Sequence, residues 1–142
     1  MMNKQQIFDT VVKHLAAQKT RSYGTYKSHG VWSTSCLYHG PNGTKCAVGC
    51  LIPDEKYSPD MEGLNVYRIN LEEILCLDHD YVVNEVVSML LELQRCHDTA
   101  MIGISDSARM MDASIMRSRL EKVAYNYNLD NSCVKLVTEW KP

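Results

Sequence analysis

Four residues near the first third of the chain, Gly40-Pro41-Asn42-Gly43, oblige it to change direction. Proline pre-sets one turn angle and Asn-Gly tolerates positive φ, so the quartet continues neither a helix nor a strand. Residues 31–39 before it are rich in β-branched and aromatic side chains and read as a strand. Residues 44–52 after it read in two ways. They are either the return strand of a hairpin, or a short helix capped by Thr44 with Ala47, Val48 and Leu51 inward. Periodicity does not separate these for so short an apolar run.

The flanking segments are helical in pattern. Ile7, Phe8, Val11, Val12 and Leu15 form one stripe over residues 4–18, and Asn3 with Gln6 has capping-box spacing. Residues 19–30 read as a loop. Residues 53–63 form a second loop with two prolines and four carboxylates. Asn70 and Glu73 open a short helix through Leu75. Asp80 is placed to cap a main helix over 81–97, striped by Val83, Val86, Val87, Leu90, Leu93, Gln94 and His97. Residues 99–111 are mixed. Asp112 caps a last helix with Met116, Leu120, Val123, Ala124 and Tyr127 inward. Alternation over 134–140 suggests a closing strand, with a final helix turn as the alternative. The expectation is an α+β fold: a small antiparallel sheet or hairpin packed against three to five helices. The 142 residues suit one compact domain, 1–142.

Charge excludes some classes. The net value is −2, which argues against a strongly basic nucleic-acid protein and a charged disordered tail. Residues 1–45 carry six cations against Asp9 alone, whereas residues 54–98 carry eleven acids against Lys56, Arg68 and Arg95. Such polarity steers partners or merely makes two solvated faces. No apolar run is long enough to span a bilayer, and MMNKQQIFD does not read as a signal peptide. The expected setting is cytoplasmic and reducing, with the six cysteines as free thiols or metal ligands.

The stretch KCAVGCLIPDEKYSPDMEG, preceded by CLYHGPNG and followed by LLELQRCHD, resembles a family of small proteins common in tailed bacteriophages and also present in bacteria. The opening NKQQIFDTVVKHL fits the same family, and LEKVAYNYNL looks like its last helix. The resemblance implies a phage or prophage origin and a cytoplasmic host setting, and no particular activity.

Four constellations bear on chemistry. Cys36 and His39, with Cys46 and Cys50, flank one turn and offer the four N and S ligands that a structural zinc takes. The plainer reading is cysteines facing a core, with no cofactor. Second, if Thr44 caps a helix, Cys46 lies in its first turn, where the dipole favours a thiolate. His97 would then serve as base, with Asp98 or Asp54 as orienter, although neighbours on a helix point about 100° apart and Asp98 is poorly placed. The plainer reading of His97 is a buried stripe residue with one hydrogen-bond partner. Third, Asp54, Glu55, Asp60 and Glu62 with Tyr57 and Met61 form a loop that suits protein recognition, with apolar anchors inside a charged rim. A divalent-ion site there lacks EF-hand spacing. Fourth, Tyr23, Tyr26, Trp32 and Tyr38 interleave with cations, but the acidic middle segment opposes direct nucleic-acid binding. Phosphate-loop, dinucleotide, HExxH and GxSxG motifs are absent.

Taken together, these features favour a phage-type accessory protein that binds a host bacterial protein and modulates or inhibits it. A small thiol enzyme using Cys46 with His97, and a zinc-stabilised adaptor, are the alternatives.

Overall fold

The computed structural model describes residues 2–76, 82–100 and 111–138. In chain order these form α1 (Lys4–Gln18), β1 (Tyr23–Ser28), β2 (Val31–Cys36), α2 (Leu71–Leu75), α3 (Val82–Thr99) and α4 (Ala113–Asn126). Short 3₁₀ turns at Pro41–Gly43, Gly49–Leu51, Asp54–Lys56 and Pro59–Met61 lie between β2 and α2, and another at Ser132–Leu136 follows α4. The architecture is α+β, with a two-stranded antiparallel hairpin beside the helices.

Local signals explain the helices. Asn3 Oδ1 accepts the Gln6 N–H at 2.8 Å, and Gln6 Oε1 accepts the Asn3 N–H at 2.9 Å, completing the capping box of α1. Asn70 caps α2 and Asp112 caps α4 through the Ile115 N–H. Ile7, Phe8, Val11, Val12 and Leu15 of α1 are fully buried, as are Val86, Leu90 and Leu93 of α3 and Met116 and Leu120 of α4. Each such side chain contributes roughly 1.5–3 kcal/mol by leaving water. Cys46, Ala47, Val48 and Ile52 fill the same core from the connecting segment.

The hairpin differs from the sequence expectation. β2 pairs with β1, inside the segment read as a loop, in a register running from Tyr23 opposite Cys36 to Ser28 opposite Val31. The turn is His29-Gly30, both at positive φ (50° and 80°), the geometry that matches strand twist in two-residue hairpins. Neither strand contains a buried residue, so no apolar alternation marks β1.

Residues 44–52 do not return as a strand. Only His39 and Lys45 bridge across the Gly40–Gly43 turn. The chain then coils into a single helical turn, with the Cys50 N–H donating to the Cys46 carbonyl at 3.0 Å. Thr44 does not cap it; its backbone is extended and its hydroxyl donates to the Pro41 carbonyl. Cys46 takes that place, with Sγ accepting the Gly49 N–H at 3.3 Å. Coiling lets Cys46, Ala47 and Val48 all face the core, which an alternating strand would not. Ser132–Leu136 take the helical alternative, a 3₁₀ turn in which Val134 is buried. Asp80, the expected cap, residues 101–110 and the last residues of the alternating segment, 139–140, lie outside the described residues, and α3 is described from Val82 onward.

His14 ties α1 to this segment, its Nε2 lying 2.8 Å from the Lys45 carbonyl oxygen. Burial, ahead of the opposing hydrogen bond, holds its pKa below 6.5. The folded state therefore binds this proton less readily than the unfolded chain. The resulting stability is present above pH 6.5 and lost as pH falls below it. Melting temperature should drop between about pH 7.5 and pH 5, and less steeply in His14→Gln. Parallel pH profiles for the two proteins would refute this.

Candidate functional site

The base of the hairpin meets the last turns of α3 in a hydrogen-bonded cluster. His97 is fully buried. Its Nε2 accepts the Ser22 backbone N–H at 2.9 Å, so the ring proton sits on Nδ1, which donates to Asp98 Oδ1 at 2.8 Å. Asp98 Oδ1 also accepts the Gln94 Nε2–H at 2.8 Å, and Gln94 Oε1 accepts the Val48 N–H at 3.1 Å. Asp98 does orient His97, contrary to the helical-wheel expectation. Nδ1 is the ring nitrogen nearest the backbone, and the short carboxylate of the next residue reaches it. The cluster joins hairpin, connecting segment and α3.

Arg21 and Cys36 complete it. Arg21 is 5% exposed, its guanidinium 3.0 Å from Cys36 Sγ and 4.9 Å above the Tyr23 ring. The ligand atoms of Cys36, His97 and Asp98 lie within 4.8 Å of one another. Burial first, and the Asp98 charge second, push the Cys36 thiol up to about 12 against the opposing pull of Arg21.

The four residues expected to hold zinc do not converge. His39 Nε2 lies 3.1 Å from both the Gly49 and the Ile52 carbonyl oxygens, and its ring stacks on Tyr57 at 4.2 Å. The Cys50 S–H donates to the Ala47 carbonyl at 3.1 Å, and Cys46 accepts from Gly49. Cys36 belongs to the His97 cluster instead. The cause is the coiled path after Thr44, which turns Cys46 and Cys50 into their own helical turn.

The thiol constellation is brought together in part. Cys46 and Asp98 line the same cleft. However, Cys46 is 1% exposed and burial drives its pKa well above the usual thiol value. His97 Nε2, the lone pair a general base would use, is occupied by Ser22. This geometry holds Cys46 as a neutral thiol. Cys50, Cys96 and Cys133 are pushed up to about 12, with burial the largest cause for each. Near pH 8 that leaves them roughly a thousandfold less thiolate than an unperturbed cysteine. Cys76 is exposed. Iodoacetamide labelling of native protein, mapped by peptide mass, should therefore modify Cys76 first and Cys46 only on unfolding. Equal rates at Cys46 and Cys76 would refute this.

The acidic loop divides. Asp54, Glu55 and Asp60 are exposed, and Asp54 pairs with Lys45 at 3.2 Å. Glu62 is instead 6% exposed and accepts from the Tyr38 N–H, the His39 N–H and the Tyr57 hydroxyl. Tyr57 is held by that bond and by His39, and Met61 packs against the core. Tyr57, Met61 and Glu62 thus fasten the loop to the body, leaving three acids at its surface.

The residue pattern points to a strand at β2 but not to β1, nor to the roles of Arg21 and Ser22. Only the positive charge of Arg21 was visible in the loop reading. At the hairpin tip Val31 and Trp32 are 64% and 67% exposed, with Lys27 Nζ 5.8 Å from the Trp32 ring centre. Among the described residues no helix is long and apolar enough to cross a membrane. No family model, curated protein or solved structure matches this chain.

Proposed function

We propose that this chain is a protein-binding module of phage type that modulates a host bacterial protein, and that its contact surface is the β1–β2 tip. The observation that carries the reading is the exposure of adjacent Val31 and Trp32 on a hairpin with no buried residue of its own. Tryptophan is enriched among residues that dominate interface energies, and an exposed Trp32 with the Lys27 ammonium over its ring suits such an anchor, with Val31 exposed on the opposite face of the strand. The exposed acids Asp54, Glu55 and Asp60 supply steering charge on a different segment, and steered association weakens with salt. The phage resemblance supports a host target.

The test is a tagged pull-down from bacterial lysate at low and high salt, with wild type and the double variant Val31→Ser, Trp32→Ala. Both positions are exposed, so the variant should keep the wild-type melting temperature. A near-stoichiometric partner, weakened by salt and lost in the variant, supports the proposal. Equal capture by both proteins, or no partner at either salt, overturns it.

A further inference from the structure

Beside the His97 cluster lies a cleft of about 560 Å³, bounded by the hairpin base, residues 63–66 and α3. That size falls within the range of small-ligand sites. Its walls divide by chemistry. Tyr38, Leu64, Val66 and Leu91 give an apolar side, with Tyr38 and Val66 themselves buried. Arg21 and Arg95 give two cations.

One carboxylate, Asp98, stands among the described lining residues. Its Oδ1 already accepts from His97 and Gln94. The negative charge in the wall is therefore committed to the protein's own donors. Arg21 is pre-positioned, its guanidinium held against Tyr23 and Cys36. Arg95 is exposed, and its guanidinium makes no hydrogen bond or ion pair among the described residues. A guanidinium fork at the rim of a partly apolar cleft matches carboxylate and phosphate geometry.

We infer that this cleft binds a small organic anion, a carboxylate or phosphate carried on an apolar body. The site is separate from the hairpin tip and does not depend on the protein-binding reading.

The probe is anilinonaphthalene sulfonate, an anion with an aromatic body, followed by fluorescence and titrated into the full chain. Octanoate, adenosine monophosphate and inorganic phosphate serve as competitors. The expected result is one-to-one binding, weakened about tenfold or more in Arg95→Gln through loss of a charge-assisted contact. Thr34→Trp, at an exposed strand position lining the cleft, should block the site, whereas Trp32→Ala should leave it intact. Octanoate or adenosine monophosphate should displace the probe, whichever competes identifying the headgroup class, and inorganic phosphate alone should not. The inference is overturned by absence of one-to-one binding or by unchanged affinity in both Arg95→Gln and Thr34→Trp. It is equally overturned by loss of binding in Trp32→Ala, by displacement with neither organic anion, or by displacement with inorganic phosphate alone.

Discussion

Gly49→Ala is expected to destabilise the protein by more than about 4 kcal/mol, beyond the usual range for one substitution. A Cβ on Gly49 would lie 1.8 Å from the Tyr38 carbonyl oxygen and 2.6 Å from its carbon. Both are backbone atoms, so no side chain can swing aside. The Tyr38 backbone is itself anchored, its N–H donating to Glu62 at 3.0 Å and its hydroxyl to the Leu64 carbonyl at 2.5 Å. Gly49 does not have positive φ, so alanine is admissible to the backbone, and the cost is one of space alone. Gly30→Ala makes the contrast. Its φ is 80° but nothing lies within 4 Å of the added atom, so the cost should stay near 1 kcal/mol, from backbone strain. Thermal melts followed by circular dichroism decide it. A Gly49→Ala protein that melts within a few degrees of wild type would show that the two segments can separate freely.

Glu62→Leu is expected to cost about 3–5 kcal/mol, because it strips the acceptor from three donors at once. The carboxylate sits 3.0 Å from the Tyr38 N, 3.1 Å from the His39 N and 2.9 Å from the Tyr57 oxygen. Two of those donors are backbone groups that cannot turn away. Glu62→Gln keeps one acceptor oxygen and sets an NH₂ against the other donors, so it should fall between Leu and wild type. Tyr57→Phe removes one bond and should cost about 1 kcal/mol. Burial and the Glu62 carboxylate both push the Tyr57 hydroxyl pKa upward, which agrees with a proton held toward Glu62. Urea denaturation of the three variants tests the order. If Glu62→Leu proved as stable as wild type, the carboxylate would not be what fastens the loop. Surface variants at Asp54 or Glu55 should differ from wild type by less than about 0.5 kcal/mol.

The same contrast shows what was readable beforehand. Asn3 with Gln6, Asn70 with Glu73, and Asp112 before Ile115 are signals that act within three residues, and all three sit at helix starts. The stripes of α1 and α4 were legible because one face of each helix is wholly buried. β1 was not, because its burial pattern has no buried member and therefore no alternation to detect. The Gly40–Gly43 turn was recognised, but its pairing was not. Asn42 and Gly43 take the positive φ expected, and the chain beyond them then coils because its apolar residues all need the core.

For the site, residue type was visible and partnership was not. The pattern allows His97 as a base or as a buried stripe residue with one hydrogen-bond partner; it is fully buried, as the second has it, but with two partners, Ser22 and Asp98. Cysteine spacing around the turn suggests one metal set, whereas the fold joins Cys36 to His97 and Asp98 and engages Cys46 and Cys50 in hydrogen bonds of their own helical turn. The helices, the N-caps of α1, α2 and α4 and the reversal at residue 40 were legible in the residues alone, since each depends on forces acting across about one helical turn. Assembly of the core, by contrast, sets Ser22 against His97, 75 residues later, turns Glu62 inward and leaves Trp32 outside. The physical reason is that a donor is satisfied, or an apolar ring covered, by whichever segment the assembled core brings within reach, and no local pattern records that choice.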